Sequence, residues 1–466
     1  MKRLFNVWLV LSLINTIFLL GCKDEEIALP DNLAQFESTE QGMDATTTEA
    51  TIKVKFSRAV EVATTVSVQL TPTGMTYGTE FTTTPAAADN TLSLSVPAGS
   101  SEVSFKISKA SGVFLSGAET LKFKISSVTT PALVGTNAEL LVKFTAIVSE
   151  GTSLKLNGGT GGSSAINSVF VDFSNNNQVS VARASWDLGF YAGSNFVVKL
   201  NHTTASTAIV TTKSDITQVN SADTVGKNLT LGFDPSHFAL VDDITGDITK
   251  TVIAQVSATD ADNKVYIINR GTGGATTKKD LIKVRILRTT DGSGYTLQYA
   301  TLTETTFKSV TITKDASYNF NYVSFETGTP VSVEPAKELW DIEWTGALYK
   351  TNLSATVEIP YYFSDQVFIN HLAGVQAAEV LTSTVSYENF AESNLSAITF
   401  SSNRSTIGAN WRATTGTVGV KTDRFYLVKD AAGNVYKLKF LNFTSADGGE
   451  RGYPNIEYKL VKKASN

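Results

Sequence analysis

A repeated phrase constrains the fold more than any other feature of this 466-residue chain. Residues 186–193 read WDLGFYAG, and residues 340–347, which begin 154 positions later, read WDIEWTGA. KVRIL at 283–287 recurs as KLKFL at 437–441 with the same offset. Ordered self-similarity at so long a spacing indicates a duplicated domain rather than a solenoid unit. We predict two copies, over residues 149–303 and 304–466.

Three further segments match in the same order at nearly constant offset, which supports the duplication. They are 179–181 with 331–333, 265–268 with 425–428, and 295–299 with 456–460.

Alternating polar and apolar residues predict an all-β chain. Only 18% of the residues are charged, and Thr, Ser, Val, Asn and Gly are frequent, which favours strands and turns. Short alternating runs bounded by Gly, Pro or Ser predict an antiparallel β-sandwich over residues 43–148. Segment 373–380 is the best candidate for a helix. The predicted sandwich strands are 51–56, 66–70, 92–96, 103–107 and 121–125.

The N-terminus has the layout of a secretion signal. Lys2 and Arg3 precede an apolar run that ends at LLGC, and residues 1–21 are predicted to be a signal peptide. Cys22 is the sole cysteine, which excludes a disulfide framework. LLGC resembles a bacterial lipobox, which implies lipidation of Cys22 and a membrane anchor. An ordinary secretory signal with an incidental cysteine is the alternative.

The stretch after the lipobox suggests where the protein is exported. CKDEE, at residues 22–26, resembles the export signal that sends lipoproteins of Bacteroidetes-type bacteria to the outer cell surface. The alternative is a solvated tether, and residues 22–42 as a whole are predicted to be a linker. We therefore expect an outer-membrane lipoprotein that faces the cell exterior.

The sandwich region resembles a Calx-β-like domain. The resemblance rests on YGTEF at 77–81, SVPAGSSEVSFKI at 95–107 and SGAETLKFKI at 116–125. Such domains often bind calcium, and Glu80 and Glu119 occupy acidic positions of the pattern. The paired aspartates expected between them are replaced by SKAS, and calcium needs six to eight oxygens. We predict a spacer without calcium.

The two copies resemble the HmuY-like family of haem-binding lipoproteins. The resemblance implies an all-β fold, and haem capture at the cell surface for a membrane transporter. In the first copy it rests on SVFVDFS, SWDLGFYAG and VYIINRG. In the second copy it rests on YVSFETG, LWDIEW, DQVFIN, DRFYLVKDAAGNVYKLKFLNF and GGERGYPNIEYKLV.

Haem iron needs axial donors such as His, Met, Cys or Tyr. His202 and His237 lie in the first copy and His371 is the only histidine of the second, so a bis-His site within the second copy is impossible. No methionine lies in either copy. The candidate haem ligands are these three histidines and Tyr191. Each histidine also reads as an ordinary turn residue.

Other chemistry is weakly represented. Asp242, Asp243 and Asp247 read as turn residues, and the Gly-rich stretch 158–162 is not followed by the helix that a phosphate loop requires. No catalytic motif places a base beside a nucleophile, so we expect no enzyme. A net charge of −5 gives no basic surface for nucleic acid.

Two functions therefore remain open. One is capture of haem or a related ligand for outer-membrane uptake. The other is a non-catalytic scaffold, or a glycan- or protein-binding module, that kept the fold and lost the iron ligands. In either case we expect Trp186 and Trp340 to anchor a core, and Asp187 and Asp341 to accept hydrogen bonds from nearby backbone donors.

Overall fold

A computed structural model describes residues 29–43, 47–110, 119–144, 149–271 and 279–464. Cys22 and the predicted signal peptide lie outside these residues. The predicted all-β architecture is confirmed, since strands are joined by turns and by 3-10 helices of at most six residues. Within the described ranges no helix is both long enough and apolar enough to cross a membrane. Residues from Asp31 onward form one compact unit.

The N-terminal part is the expected sandwich of two five-stranded sheets. Their strand orders are β5-β7-β3-β1-β9 and β2-β10-β8-β4-β6. All five predicted strands are present, and their apolar residues alternate inward, as in β6, where every second side chain is buried. The strands are β1 (Leu33–Phe36), β2 (Glu40–Gly42), β3 (Glu49–Phe56), β4 (Thr64–Thr73), β5 (Phe81–Thr84), β6 (Thr91–Val96), β7 (Glu102–Lys109), β8 (Thr120–Val128), β9 (Leu133–Val134) and β10 (Glu139–Lys143).

The first predicted copy contains nine strands. They are β11 (Gly151–Lys155), β12 (Asn167–Asp172), β13 (Asn177–Ala182), β14 (Leu188–Tyr191), β15 (Val198–Leu200), β16 (Thr207–Val210), β17 (Tyr266–Asn269), β18 (Ile282–Arg288) and β19 (Gly294–Thr301). Short 3-10 helices lie at Gly162–Ser164, Arg183–Ser185, His202–Thr204, Ile216–Gln218, Ser221–Thr224, Pro235–Leu240 and Asp260–Asp262.

The second predicted copy repeats this order with a longer central hairpin. Its strands are β20 (Lys308–Thr313), β21 (Phe320–Ser324), β22 (Thr329–Val331), β23 (Ile342–Ser354), β24 (Val357–Ile369), β25 (Gln376–Leu381), β26 (Arg412–Ala413), β27 (Gly419–Val420), β28 (Arg424–Lys429), β29 (Val435–Asn442) and β30 (Asn455–Lys462). Its 3-10 helices are His371–Ala373, Glu392–Ala397 and Ser445–Asp447.

The predicted helix over residues 373–380 is wrong. Residues Gln376–Leu381 form β25, which pairs antiparallel with β28 along its whole length. The small and apolar residues of this segment bury against a neighbouring strand, and that tertiary pairing overrides the weak helical propensity of its alanines.

The two copies exchange strands. The hairpin β12–β13 does not join β14 of its own copy; β12 pairs with β23 of the second copy, with Val169 opposite Trp344. Reciprocally, β14 pairs with β21, with Gly189 opposite Tyr322. At the outer edges, β11 pairs with β30 and β20 pairs with β19.

Each of the four large sheets outside the sandwich therefore contains strands from both copies. Their orders are β11-β30-β29-β28-β25, β16-β17-β18-β19-β20, β13-β12-β23-β24 and β15-β14-β21-β22. The first two are equivalent under the repeat, and so are the last two. The arrangement is a pseudo-symmetric pair of folding units whose chains cross over twice, whereas the boundary at 303/304 divides the sequence repeat and stays a prediction.

Candidate functional site

Two equivalent corners of the repeat carry the same dipeptide. Strand β15 runs into Asn201-His202 and strand β24 runs into Asn370-His371. Each histidine opens a 3-10 turn that ends at a residue with left-handed backbone, φ 58° at Ala205 and φ 92° at Gly374. The recurring Asn-His after an apolar strand was the available sequence signal for this pairing, and the sequence comparison above missed it.

The two asparagines fix these corners to the repeated Trp-Asp phrase. Asn201 Nδ2 donates to the carbonyl oxygen of Trp186 at 2.6 Å. Asn370 Nδ2 donates to the carbonyl oxygen of Trp340 at 3.1 Å. Each amide is fully buried, so these hydrogen bonds replace the water it loses on folding.

The Trp-Asp phrases have the predicted roles. The ring of Trp186 packs edge-on against Tyr322, with ring centroids 4.8 Å apart, and the ring of Trp340 packs edge-on against Phe170 at 5.1 Å. Asp187 accepts a hydrogen bond from the backbone N–H of Phe325, and Asp341 accepts one from Phe173. Because the partners come from the exchanged hairpins, these contacts join the two folding units.

A cavity of about 100 Å³ lies between the two four-stranded sheets, and both histidine corners face it. Its apolar wall includes Trp186, Trp340, Tyr322 and Phe368. Its polar wall includes a set of buried charged groups. They are Lys199, Asp242, Glu334, Glu343 and Arg404.

His202 presents an unpartnered nitrogen to this cavity. Its Nε2 lies 3.7 Å from Glu343 Oε1, too far for a hydrogen bond, and has no other partner among the described residues. Burial lowers the pKa of His202, although Glu343 opposes the shift. Burial alone would raise the pKa of Glu343, but the hydrogen-bonding and charge of His202 and the charge of Lys199 lower it overall.

His371 is held by the backbone of a covering segment. Its Nε2 lies 3.2 Å from the carbonyl oxygen of Gly246. Burial, and then the charge of Arg404, lower the pKa of His371. Both cavity histidines are therefore favoured as neutral imidazoles near pH 7, which is the form that ligates metals.

The covering segment, residues 241–251, belongs to the first copy and closes the cavity from one side. Asp242 ties down both of its ends, since Oδ2 accepts from Leu200 N and Oδ1 accepts from Val252 N. Arg404 of the second copy donates from a terminal guanidinium nitrogen to Ile244 O at 2.6 Å. Together with the His371 contact, these bonds hold the segment across the two copies.

The other predicted site residues lie away from the cavity. His237 sits in the 3-10 helix Pro235–Leu240, where its Nδ1 accepts from Gly232 N at 2.9 Å. Tyr191 packs against Phe320 with ring centroids 5.5 Å apart and does not line the cavity. In the sandwich, Glu80 accepts from Thr76 N within its own turn. The described ranges hold no group of three or more His, Cys, Asp or Glu arranged around a metal position.

Glu334 makes the stability of this cavity depend on pH. Burial raises the pKa of Glu334 to about 7, against 4.5 for a free glutamate. A carboxyl whose folded pKa is raised stabilises fully below its unfolded pKa and loses that contribution as pH rises through the folded value. Between pH 5 and pH 8 we expect the wild type to lose about 2 kcal/mol more unfolding free energy than Glu334→Gln.

Urea unfolding of both proteins at several pH values measures this difference directly. Subtracting the two profiles removes the contributions of His202 and His371, which have the opposite sign. Parallel profiles for the two proteins would show that Glu334 is ionised throughout this range.

Comparison with known proteins is consistent with the repeat. The family model described as HmuY protein matches residues 164–315 and again 316–458. Among solved structures, the apo form of the Calx CBD1 domain is 15% identical, covers 25% of this chain and 97% of its own, and has a TM-score of 0.22. A two-domain protein of unknown function from Bacteroides fragilis is 12% identical, covers 33% of this chain and 79% of its own, and has a TM-score of 0.19.

TM-scores this low carry no argument about the fold. A search among curated proteins finds no match.

Proposed function

The chain belongs to the HmuY family, and from that premise we propose that it captures haem at the cell surface for an outer-membrane transporter. The proposal includes a lipid anchor at Cys22 in the outer membrane, with the folded unit from Asp31 onward facing the exterior. Family membership supports binding rather than catalysis. The transporter is the expected partner that receives the haem.

The observation that supports haem most directly is the pairing of His202 with His371 at one cavity. A bis-His site within the second copy is excluded by composition, but one histidine from each copy supplies two imidazoles to the same space. Two neutral imidazoles are an established axial donor set for haem iron. The unpartnered Nε2 of His202 fits this role, since a buried nitrogen without a hydrogen bond is destabilising.

The cavity must open to admit a porphyrin. Its volume of about 100 Å³ is below the roughly 300–1,000 Å³ of typical ligand pockets. His371 must also release the carbonyl oxygen of Gly246 before it can bind iron. We therefore propose that segment 241–251 moves aside on binding. The small closed volume favours the alternative, a binding module or scaffold without haem, if no opening occurs.

Titration with hemin separates these functions. The protein would comprise residues 23–466, which contain the whole compact unit, and the Soret band would be followed at micromolar concentration. We expect a saturable shift, weakened by at least about tenfold in Kd in His202→Ala and in His371→Ala, since each removes an axial ligand. His237→Ala is the matched control, because its ring lies outside the cavity, and it should bind as the wild type does.

The outcomes are distinct. A wild type without a Soret shift would exclude haem capture and leave the scaffold or other binding module. A shift that survives in both His202→Ala and His371→Ala would move the ligands to His237 or Tyr191.

A further inference from the structure

Three arginines converge on one buried carboxylate at the end of the second folding unit. Arg451 places a terminal guanidinium nitrogen 2.6 Å from Asp365 Oδ2, and Arg412 Nε lies 3.5 Å from the same oxygen. Arg183 donates to the carbonyl oxygen of the neighbouring Ser364 at 2.9 Å. Arg183 comes from the exchanged part of the first copy, so the cluster forms only when the two copies fold together.

The cluster has more positive charge and more donors than its single carboxylate can satisfy. Arg183 and Arg412 are only 3% and 7% exposed. Five guanidinium nitrogens are buried without a hydrogen-bond partner among the described residues. They are Nε and NH1 of Arg183, Nε and NH2 of Arg412, and Nε of Arg451. Such unmade bonds to charged groups are among the most costly defects in a protein interior.

Neighbouring groups do not remove this imbalance. Glu343 also acts on Arg183, but it lies on the cavity side beside His202 and Lys199. Tyr362 lies beside Arg183 and Tyr349 lies near Arg412, and both are neutral near pH 7 because burial raises the pKa of each hydroxyl. An arginine does not relieve the strain by losing its proton, since its pKa stays above that range.

Aromatic rings occupy the flat faces of the three guanidinium groups. Arg183 lies 5.2 Å from the centre of the Trp344 ring and Arg412 lies 4.3 Å from that of Phe363. Arg451 lies 5.2 Å from the centre of the Phe443 ring. Stacking of this kind orients a guanidinium and leaves its N–H edge for an oxyanion.

We propose that Arg183, Arg412 and Arg451 bind a tetrahedral oxyanion, phosphate or sulfate. Three guanidinium charges against Asp365 leave two positive charges, which a dianion neutralises. Arginine edges match the oxygens of phosphate in paired hydrogen bonds. The side chain of Arg451 is 25% exposed and marks the side from which the anion enters. None of the three arginines lines the histidine cavity, so this site is independent of haem capture.

Isothermal titration of residues 23–466 with sodium phosphate, sodium sulfate and sodium chloride at matched ionic strength tests the site. We expect saturable binding of phosphate or sulfate and none of chloride. Arg451→Gln should weaken binding by at least about tenfold, because it removes a charge-assisted pair. Arg424→Gln is the matched control, since Arg424 pairs with Glu379 and Asp423 on another surface, and it should bind unchanged.

A second variant keeps the test independent of folding defects. Asp365→Asn removes the competing negative charge, so phosphate binding should tighten several-fold if the cluster is an anion site. Glycerol phosphate, titrated in the same way, distinguishes a free anion from a phosphate group on a larger carrier; either result supports the site. Wild-type protein without saturable oxyanion binding, or Arg451→Gln with unchanged affinity, would overturn the proposal.

Discussion

Cutting the chain between residues 303 and 304 is expected to abolish independent folding of both halves, although the cut lies between two sequence repeats. The fragment 304–466 lacks β11, β12 and β13, which pair with β30 and β23 in the intact protein. It thereby loses part of its largest core. Those missing side chains include Leu156, Val169, Val171 and Phe173, all fully buried against the second copy.

The loss is too large for a single domain to absorb. Removing one large apolar side chain from a core costs about 2–5 kcal/mol, and domains are stable by only about 5–15 kcal/mol. The fragment 23–303 has the reciprocal defect, because Val323 and Phe325 of the exchanged hairpin belong to its core. Mixed in equal amounts, the two fragments should assemble and recover a cooperative transition.

Circular dichroism and thermal unfolding of each fragment, and of the mixture, measure this effect. Residues 149–466, without the sandwich, are the control, since no sandwich strand joins a sheet of the repeats. That larger deletion should leave a cooperatively folding protein. A cooperative transition in fragment 304–466 alone would contradict the need for strand exchange.

Local sequence signals predicted the strands but not which copy each strand joins. The hairpin of residues 425–428 and 435–440 was predicted from alternation and a Gly-containing turn, and it is confirmed by the pairing of β28 with β29. Strand β12 has the same apolar pattern whether it pairs with β14 or with β23. Both candidate partners follow a Trp-Asp phrase, so alternation cannot distinguish the two arrangements.

The candidate site was predictable in its residues but not in its assembly. His202 and His371 were candidates one by one, and each was assigned to its own copy. Their convergence depends on the exchange of β12 and β21, which no local pattern reveals. Asp242 was interpreted as a turn residue because its Asp-rich surroundings resemble a solvated loop, yet the strap that it anchors folds over the cavity and buries its carboxyl. Glu334 gave no signal at all.

The two Trp-Asp phrases should respond in opposite ways to the same substitution. Asp187 is 4% exposed and forms a two-pronged ion pair with Arg270, at 2.7 Å and 3.0 Å. Asp187→Asn leaves that buried guanidinium without its main counter-charge, so we expect a loss of about 3–5 kcal/mol in unfolding free energy. At the equivalent place in the second copy, Asp430 stands where the first copy has Arg270.

Asp341 therefore has no cation to offset its charge. Burial first, and then the charges of Asp172 and Asp430, raise the pKa of Asp341 well above its usual value. A carboxyl in this setting is stable when protonated, and its contribution to stability is lost as pH rises above the unfolded value. Asp341→Asn keeps an oxygen that accepts from Phe173 N, so it should change unfolding free energy by less than about 1 kcal/mol at pH 7.

Urea unfolding of both variants at pH 5, 7 and 8 tests this contrast. Asp187→Asn should be destabilised at every pH, and adding Arg270→Gln should recover part of the loss because the unpaired cation is removed. Asp341→Asn should flatten the decline in stability at higher pH. Equal losses in the two variants at pH 7 would contradict the difference in charge environment. The repeated phrase would then serve one structural purpose in both copies, whereas the geometry gives it an ion pair in one and a neutral hydrogen-bond acceptor in the other.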